Sequence, residues 1–301
     1  MRRVQIIVGF CFMLWFCAGC AGSMEKRDME RTLLPFVDSK TPDNARPFEK
    51  NSNTRLSSYE LVFSDEFEDN SLDTNKWNVQ DEFYRKRKVI DVYADGKQIV
   101  ERDGHLNIYY YKDSTKGNAY FAGRIDSRGK YAPTYGFFEA RKHFVKPNGH
   151  QTDFWMMPEG KGMSVPDGVD STANDGAEID IIEGNKVKTY SCGLHWDGYG
   201  KAHQTNGQEI HAPNFHDTEY HVIGFEWDEK HLRWYRDGEV IRELTDPDLI
   251  PRVPHFLYFS GSLWGESDWP DGSILTNEFI QNGGVDKAYI DYIRVYQKKT
   301  N

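Results

Sequence analysis

Cysteine is scarce and badly placed for cross-linking. Only four occur in 301 residues, and Cys11, Cys17 and Cys20 fall within the first twenty. Cys192 is then alone, which excludes an internal disulfide and a cysteine-based zinc site from the remainder. A basic excess is also lacking. The 37 Lys and Arg stand against 47 Asp and Glu, a formal charge of −10, which argues against a nucleic-acid backbone as partner and is easier to reconcile with a neutral polymer. There is no internal repeat and no sustained helical period. The one long apolar stretch, Val4 to Gly19, covers sixteen residues and contains Gln5, short of the roughly 20 that a membrane-spanning helix needs. What the chain has in quantity is aromatic residues: 8 Trp, 17 Tyr and 18 Phe, more flat side chains than packing alone demands.

The N-terminus has the order of a secretory signal, with basic Met1-Arg-Arg3, the apolar stretch, and then small residues at Cys17-Ala-Gly-Cys20. A cysteine directly after Ala18-Gly19 resembles the lipobox of bacterial lipoproteins, although Cys17 stands where that pattern usually has Leu. This predicts a signal over residues 1–19, a lipid on Cys20, and export to the bacterial outer membrane, periplasmic or cell-surface; plain secretion is the alternative. Residues 20–58 are charged and polar with scattered Pro and read as a flexible tether. The folded domain is expected over 59–301.

From Tyr59 onward, short aromatic or β-branched runs alternate with turn residues. Leu61-Val-Phe63, His105 to Tyr111, Phe137 to Arg141 and His221 to Trp227 read as strands. Asp237-Gly238, between two alternating runs, predicts a type I′ hairpin turn. The fold class is therefore all-β, a sandwich of two antiparallel sheets. A Gly-, Asp- and Ser-rich loop from Glu159 to Gly176 breaks the rhythm and leads into an unusual strand, Glu178-Ile-Asp-Ile-Ile-Glu183.

Alternation puts Glu178 and Asp180 on one face of that strand, with Glu183 out of phase. One extra residue at the doubled isoleucine, a β-bulge, would bring all three carboxylates to the same face. Crowded carboxylates cannot all ionise easily, so at least one is held protonated. One ionised and one protonated carboxylate are what a retaining glycosidase needs, about 5–5.5 Å apart, whereas an inverting enzyme needs about 6.5–9.5 Å. A solvated acidic edge strand or a calcium site are the other readings of these acids.

The strand resembles the active-site signature of glycoside hydrolase family 16 in its bulged form, E-x-D-x-x-E, found in laminarinase-, agarase- and porphyranase-like members. The resemblance extends to Leu61–Phe67 with Leu72–Trp77, Tyr135–Arg141, Phe154–Pro158, Tyr220–Trp227 with Trp234–Gly238, and Asp291–Tyr296. It implies a β-jelly roll whose concave sheet forms a polysaccharide cleft. Glu178 would be the nucleophile, Glu183 the general acid/base, and Asp180 the residue that holds their geometry. His195 would face the same cleft from the neighbouring strand, with Arg124 nearby. Trp155, Trp196, Trp264 and Trp269 are candidate sugar platforms. The resemblance also implies a structural calcium held by Asp291 and by backbone oxygens near Glu66 and Gly104, with no cofactor for catalysis.

The reading is thus a retaining endo-hydrolase, monomeric, whose partner is a polysaccharide and whose membrane contact is the lipid anchor. A β-1,3- or mixed 1,3/1,4-glucan is the leading substrate. Two departures from the family's glucanases, Gly149-His-Gln-Thr-Asp153 and the long 159–176 loop, keep open a β-linked, possibly sulfated galactan such as agar or porphyran, or mucin-type glycans. The basic Arg85-Lys-Arg-Lys88 run could bind sulfate or carboxylate on such a glycan. A glycan-binding protein without catalysis is the remaining reading.

Overall fold

Tyr59-Glu-Leu-Val-Phe-Ser-Asp65 buries Tyr59 and Phe63 while exposing Glu60, as a strand covering a core should. Comparable runs form strands throughout a computed structural model of the chain. It describes residues 36–50, 54–87, 90–117, 119–145, 149–160, 169–184, 186–264 and 283–299. The signal, Cys20 and Trp269 lie outside the described residues, as do residues 161–168 of the 159–176 loop. The only helical elements among the described residues are three short 3-10 turns.

The strands form two sheets, almost wholly antiparallel, so the expected sandwich is what forms. The first, of eleven strands, runs in the order 239–244, 232–236, 221–227, 136–143, 285–298, 105–112, 119–122, 91–94 and 83–86. Tyr59–Asp65 and Ile99–Arg102 add to it at the sides. The second, of eight, runs 204–205, 189–196, 178–184, 150–158, 255–263, 124–126 and 78–79, with Gln208–His211 also on 189–196. Phe63, Leu106, Ile108 and Phe138 of the first sheet meet Phe154, Met156, Ile179 and Phe259 of the second in one core. The acidic strand therefore lies well inside the second sheet, hydrogen-bonded on both sides. The edge-strand reading of its acids is excluded by that position.

The hairpin turn forms where the sequence places it. Arg236 pairs with Glu239, and Asp237 and Gly238 take φ of 50° and 77°, both positive as a type I′ turn requires.

The start of the domain differs from the expectation. Residues 36–50, read as tether, pack on the sandwich. The Phe36 ring lies 5.6 Å from Tyr131 and 6.2 Å from Phe63. Asp38 Oδ2 accepts from the Glu66 N–H at 2.9 Å, and the Phe48 N–H donates to Glu139 Oε2 at 2.6 Å. The segment has no apolar periodicity because single anchors and backbone hydrogen bonds, not a strand face, hold it. Phe36→Ala should lower the unfolding free energy by about 1–3 kcal/mol, less than a fully buried Phe truncation costs. A urea melt of the two proteins checks this.

Candidate active site

The bulge forms at the doubled isoleucine. Toward strand 150–158, Ile182 pairs with Phe154 and Asp180 with Trp155, so Ile181 has no partner of its own; the register toward 189–196 also shifts between Asp180 and Glu183. Ile179, Ile181 and Ile182 are all buried in the core, worth about 1.5–3 kcal/mol each. Their burial drives Glu178, Asp180 and Glu183 together onto the opposite face. There they line a cavity of about 570 Å³, with Arg85, Arg124, Gln151, Asp153, Trp155, Ser191, His195, Tyr199, Ser260, Ser262 and Trp264.

The three carboxylates are not equivalent. Burial pushes Glu183 up to about 8, and the neighbouring charges of Asp153 and Glu178 add to the effect. Asp180 is pushed well above the usual carboxylate range, first by burial and then by Glu183 and Glu178. Glu178 is partly exposed and accepts a hydrogen bond from the Tyr199 hydroxyl. It sits opposite His195 across the strands, and polar atoms of Glu178, Asp180 and His195 come within 4.8 Å of one another. His195 Nε2 is 3.4 Å from Asp180 Oδ2, and its Nδ1 is 2.9 Å from His203 Nε2. Burial pulls the imidazole below its usual range. Glu183 is held from the other side, where Gln151 Nε2 donates to its Oε1 at 2.8 Å and the Trp264 indole N–H donates to Gln151. A carboxylate whose proton is held more tightly, beside one open to the cleft, is an arrangement in which one could serve as acid and the other as nucleophile.

The family comparison points the same way. The sequence model described as "Beta-porphyranase A-D, GH16 domain" matches residues 60–298. The chain belongs to glycoside hydrolase family 16. It is similar to glucan endo-1,3-beta-glucosidase A1 of Niallia circulans, 25% identical over 79% of this chain and 38% of that one. It is also similar to keratan-sulfate endo-1,4-beta-galactosidase of Sphingobacterium multivorum, 25% identical over 90% and 63%. The chain thus spans 38% of the length of the first relative and 63% of the second. The catalytic domain of an endo-1,3-beta-glucanase (laminarinase) from Thermotoga petrophila superposes with a TM-score of 0.61 at 26% identity. That match covers 80% of this chain and 99% of the laminarinase domain. As a member of the family, the protein is a glycoside hydrolase with a polysaccharide substrate.

Within this family 16 cleft the other sequence candidates separate. Trp155 lines the cavity, stacked on Tyr258 at 4.2 Å with its indole N–H on Ser260 Oγ at 3.0 Å. Arg124 lies over the Phe83 ring at 3.9 Å with its Nε unpartnered. Trp264 is in the cleft too, but the Arg87 guanidinium covers its ring at 3.3 Å, so a sugar would have to share or displace that contact. Trp196 is a correction. It follows His195 on the strand, so alternation turns it away from the cleft and into the core. Gln151, Asp153, Tyr199, His203 and Ser260 were not singled out from sequence. Alternation with Trp155 would have placed Gln151 and Asp153 on the cleft face; Tyr199, on a loop, gave no signal.

The expected side-chain donor for calcium, Asp291, is already engaged. Asp291 Oδ2 is 2.5 Å from Arg141 Nη1, with its Oδ1 3.7 Å from His105 Nε2. Glu66 is held by two nitrogens of Arg294 at 2.8 and 2.9 Å, and Gly104 makes the tight turn before His105. The Asp291 carboxylate would have to give up its arginine to hold an ion; the donors expected near Glu66 and Gly104 are backbone oxygens, which these side-chain contacts leave open. Adding a chelator should leave Tm unchanged; a fall beyond about 3 °C would show that an ion contributes.

If Glu183 serves as the acid, it must be protonated when substrate is cut. Activity should therefore hold below pH 8 and fall as pH rises through about 8, where the proton is lost. Glu183→Gln should lower kcat by about 10²–10⁴-fold, measured on a substrate with a poor leaving group.

Proposed function

We propose that the protein is an endo-acting, retaining hydrolase of internal β-linkages in a polysaccharide. The observation that carries this is the bulged strand, which puts a protonated Glu183 and an accessible Glu178 on one cleft face. Glu178 attacks the anomeric carbon while Glu183 gives its proton to the leaving oxygen. Water, deprotonated by Glu183, then cleaves the glycosyl-enzyme. Asp180 and His195 hold Glu178 in place. The reaction uses carboxylates and water and calls for no organic cofactor.

The substrate class follows the relatives named glucanase and laminarinase, a β-1,3- or mixed 1,3/1,4-glucan. A second reading, a sulfated β-galactan, is favoured by the cationic groups at the cleft. Arg85 and Arg124 line it and Arg87 sits on Trp264; guanidinium groups pair with sulfate in a bidentate way. The family model named for porphyranases and the keratan-sulfate galactosidase relative support the same reading. Membership of the bulged E-x-D-x-x-E branch rests on the strand itself. Export with a lipid on Cys20 rests on the lipobox-like N-terminus.

A reducing-sugar assay tests the function on the full chain. The panel is laminarin, lichenan, agarose, porphyran, carrageenan and mucin glycans, with Glu178→Gln as control. The expected result is turnover of one class, lost in Glu178→Gln while binding persists. Wild-type-like rates in that variant would mean another nucleophile. Binding without turnover across the panel would make the protein a glycan-binding one.

A further inference from the structure

Two charged residues lie buried on either side of the second sheet, and the reaction as described uses neither. Strand 136–143 turns Phe138, Ala140 and Lys142 into the core, so a lysine occupies a place that alternation gives to an apolar side chain. Lys142 has no solvent exposure at all. Its Nζ reaches the Thr152 carbonyl oxygen at 3.4 Å and otherwise faces the rings of Phe144 and Phe259, at 4.5 and 6.0 Å from their centres. An isolated buried ammonium is expensive, and the carboxylate whose charge acts on it is Asp153.

Asp153 projects from the other face of the sheet, into the cleft floor, and pairs directly with Glu183 across strands 150–158 and 178–184. Side chains of directly opposed residues in an antiparallel pair are close neighbours. Its Oδ2 accepts from Ser260 Oγ at 3.1 Å, while its Oδ1 is buried with no hydrogen-bond partner. A buried carboxylate with an unsatisfied oxygen beside a candidate acid calls for an explanation. The line of three is thus Lys142 behind the sheet, Asp153 on its cleft face, and Glu183 beside Asp153.

We propose that Asp153, kept ionised by Lys142, is a positioning residue of the reaction whose negative charge holds the proton on Glu183 until the leaving oxygen takes it. This rests on the reading of Glu183 as acid/base. The acidic surroundings of Glu183 act in the same sense as Asp153, and Arg85 opposes them. Glu183 also faces Glu178 and Asp180 on its own strand, Cys192 from strand 189–196 and Arg85 from strand 83–86. Asp153 faces Arg124, Tyr110 and Asp180 besides Lys142. After burial itself, Asp153 is the strongest influence raising Glu183. Burial pushes Asp153 itself up to about 7, with Lys142 the strongest influence opposing that rise, so Asp153 carries its charge at the pH where Glu183 loses its proton.

The test is the pH profile of kcat/KM for wild type, Asp153→Asn and the double variant Lys142→Met with Asp153→Asn. The single variant leaves a buried ammonium without its counter-charge and will unfold more easily, so the double variant, which removes both charges, carries the comparison. Loss of the Asp153 charge releases the Glu183 proton more readily, so the alkaline limb should move down by about one pH unit. Activity at pH 8 then falls much more than activity at pH 6. A folded double variant whose alkaline limb stays in place would overturn the proposal and leave Lys142 and Asp153 as a structural pair. Glu183→Gln in parallel separates the two failures. If that variant keeps wild-type activity, the acid/base assignment itself is wrong.

Discussion

Everything at the cleft depends on one displaced residue. Three carboxylates share a face because Ile181 is taken out of register, and it stays out of register because Ile179, Ile181 and Ile182 are worth more in the core than a regular ladder would be. Without the bulge, Glu183 would point toward Phe154 and Phe259, and an acid would lie in the apolar interior while an isoleucine faced substrate. The strand's place inside the second sheet holds the kink from both sides. Strand 150–158 contributes Gln151 and Asp153 against Glu183, and strand 189–196 contributes His195 against Glu178. Each neighbour thus attends to one of the two glutamates.

That division separates their protonation. Glu183 is deep, held by an amide and crowded by Asp153, so it keeps its proton. Glu178 is partly exposed, with a tyrosine hydroxyl on it, and is open to the cavity. Asp180 lies between them, the most deeply buried of the three, and the Trp234 indole donates to its backbone oxygen at 2.9 Å. The first sheet therefore reaches through the core to fix the strand that does the chemistry. Aromatic abundance has the same double use, since Trp234 and Trp227 build the interior while Trp155 and Trp264 face the cavity.

Much of this was legible in the sequence, for physical reasons that can be named. Period-two alternation marked the strands, Asp237-Gly238 marked a turn that only positive φ can make, and the doubled isoleucine marked the bulge. What was not legible depended on which face a residue takes or on contacts far away in sequence. Trp196 looked like a platform until its phase relative to His195 turned it inward. Residues 36–50 looked like tether because Phe36 and a few backbone donors anchor them without any repeating pattern. Asp153 and Lys142 are separated by eleven positions and lie on different sheets, and their coupling exists only once the sandwich closes. The arginine on Trp264 likewise needs strand 83–86 brought round to the cleft rim.

The central claim is that Glu178 and Glu183 work by double displacement on this strand. Proton NMR of the first-formed reducing end, recorded in the opening minutes of hydrolysis of a β-linked substrate, tests it most directly. Two displacements at the anomeric carbon return the starting configuration, so the β anomer should appear first and the α anomer only later, by mutarotation. An α anomer appearing first would mean direct attack by water, and the assignment of Glu178 as nucleophile would be wrong.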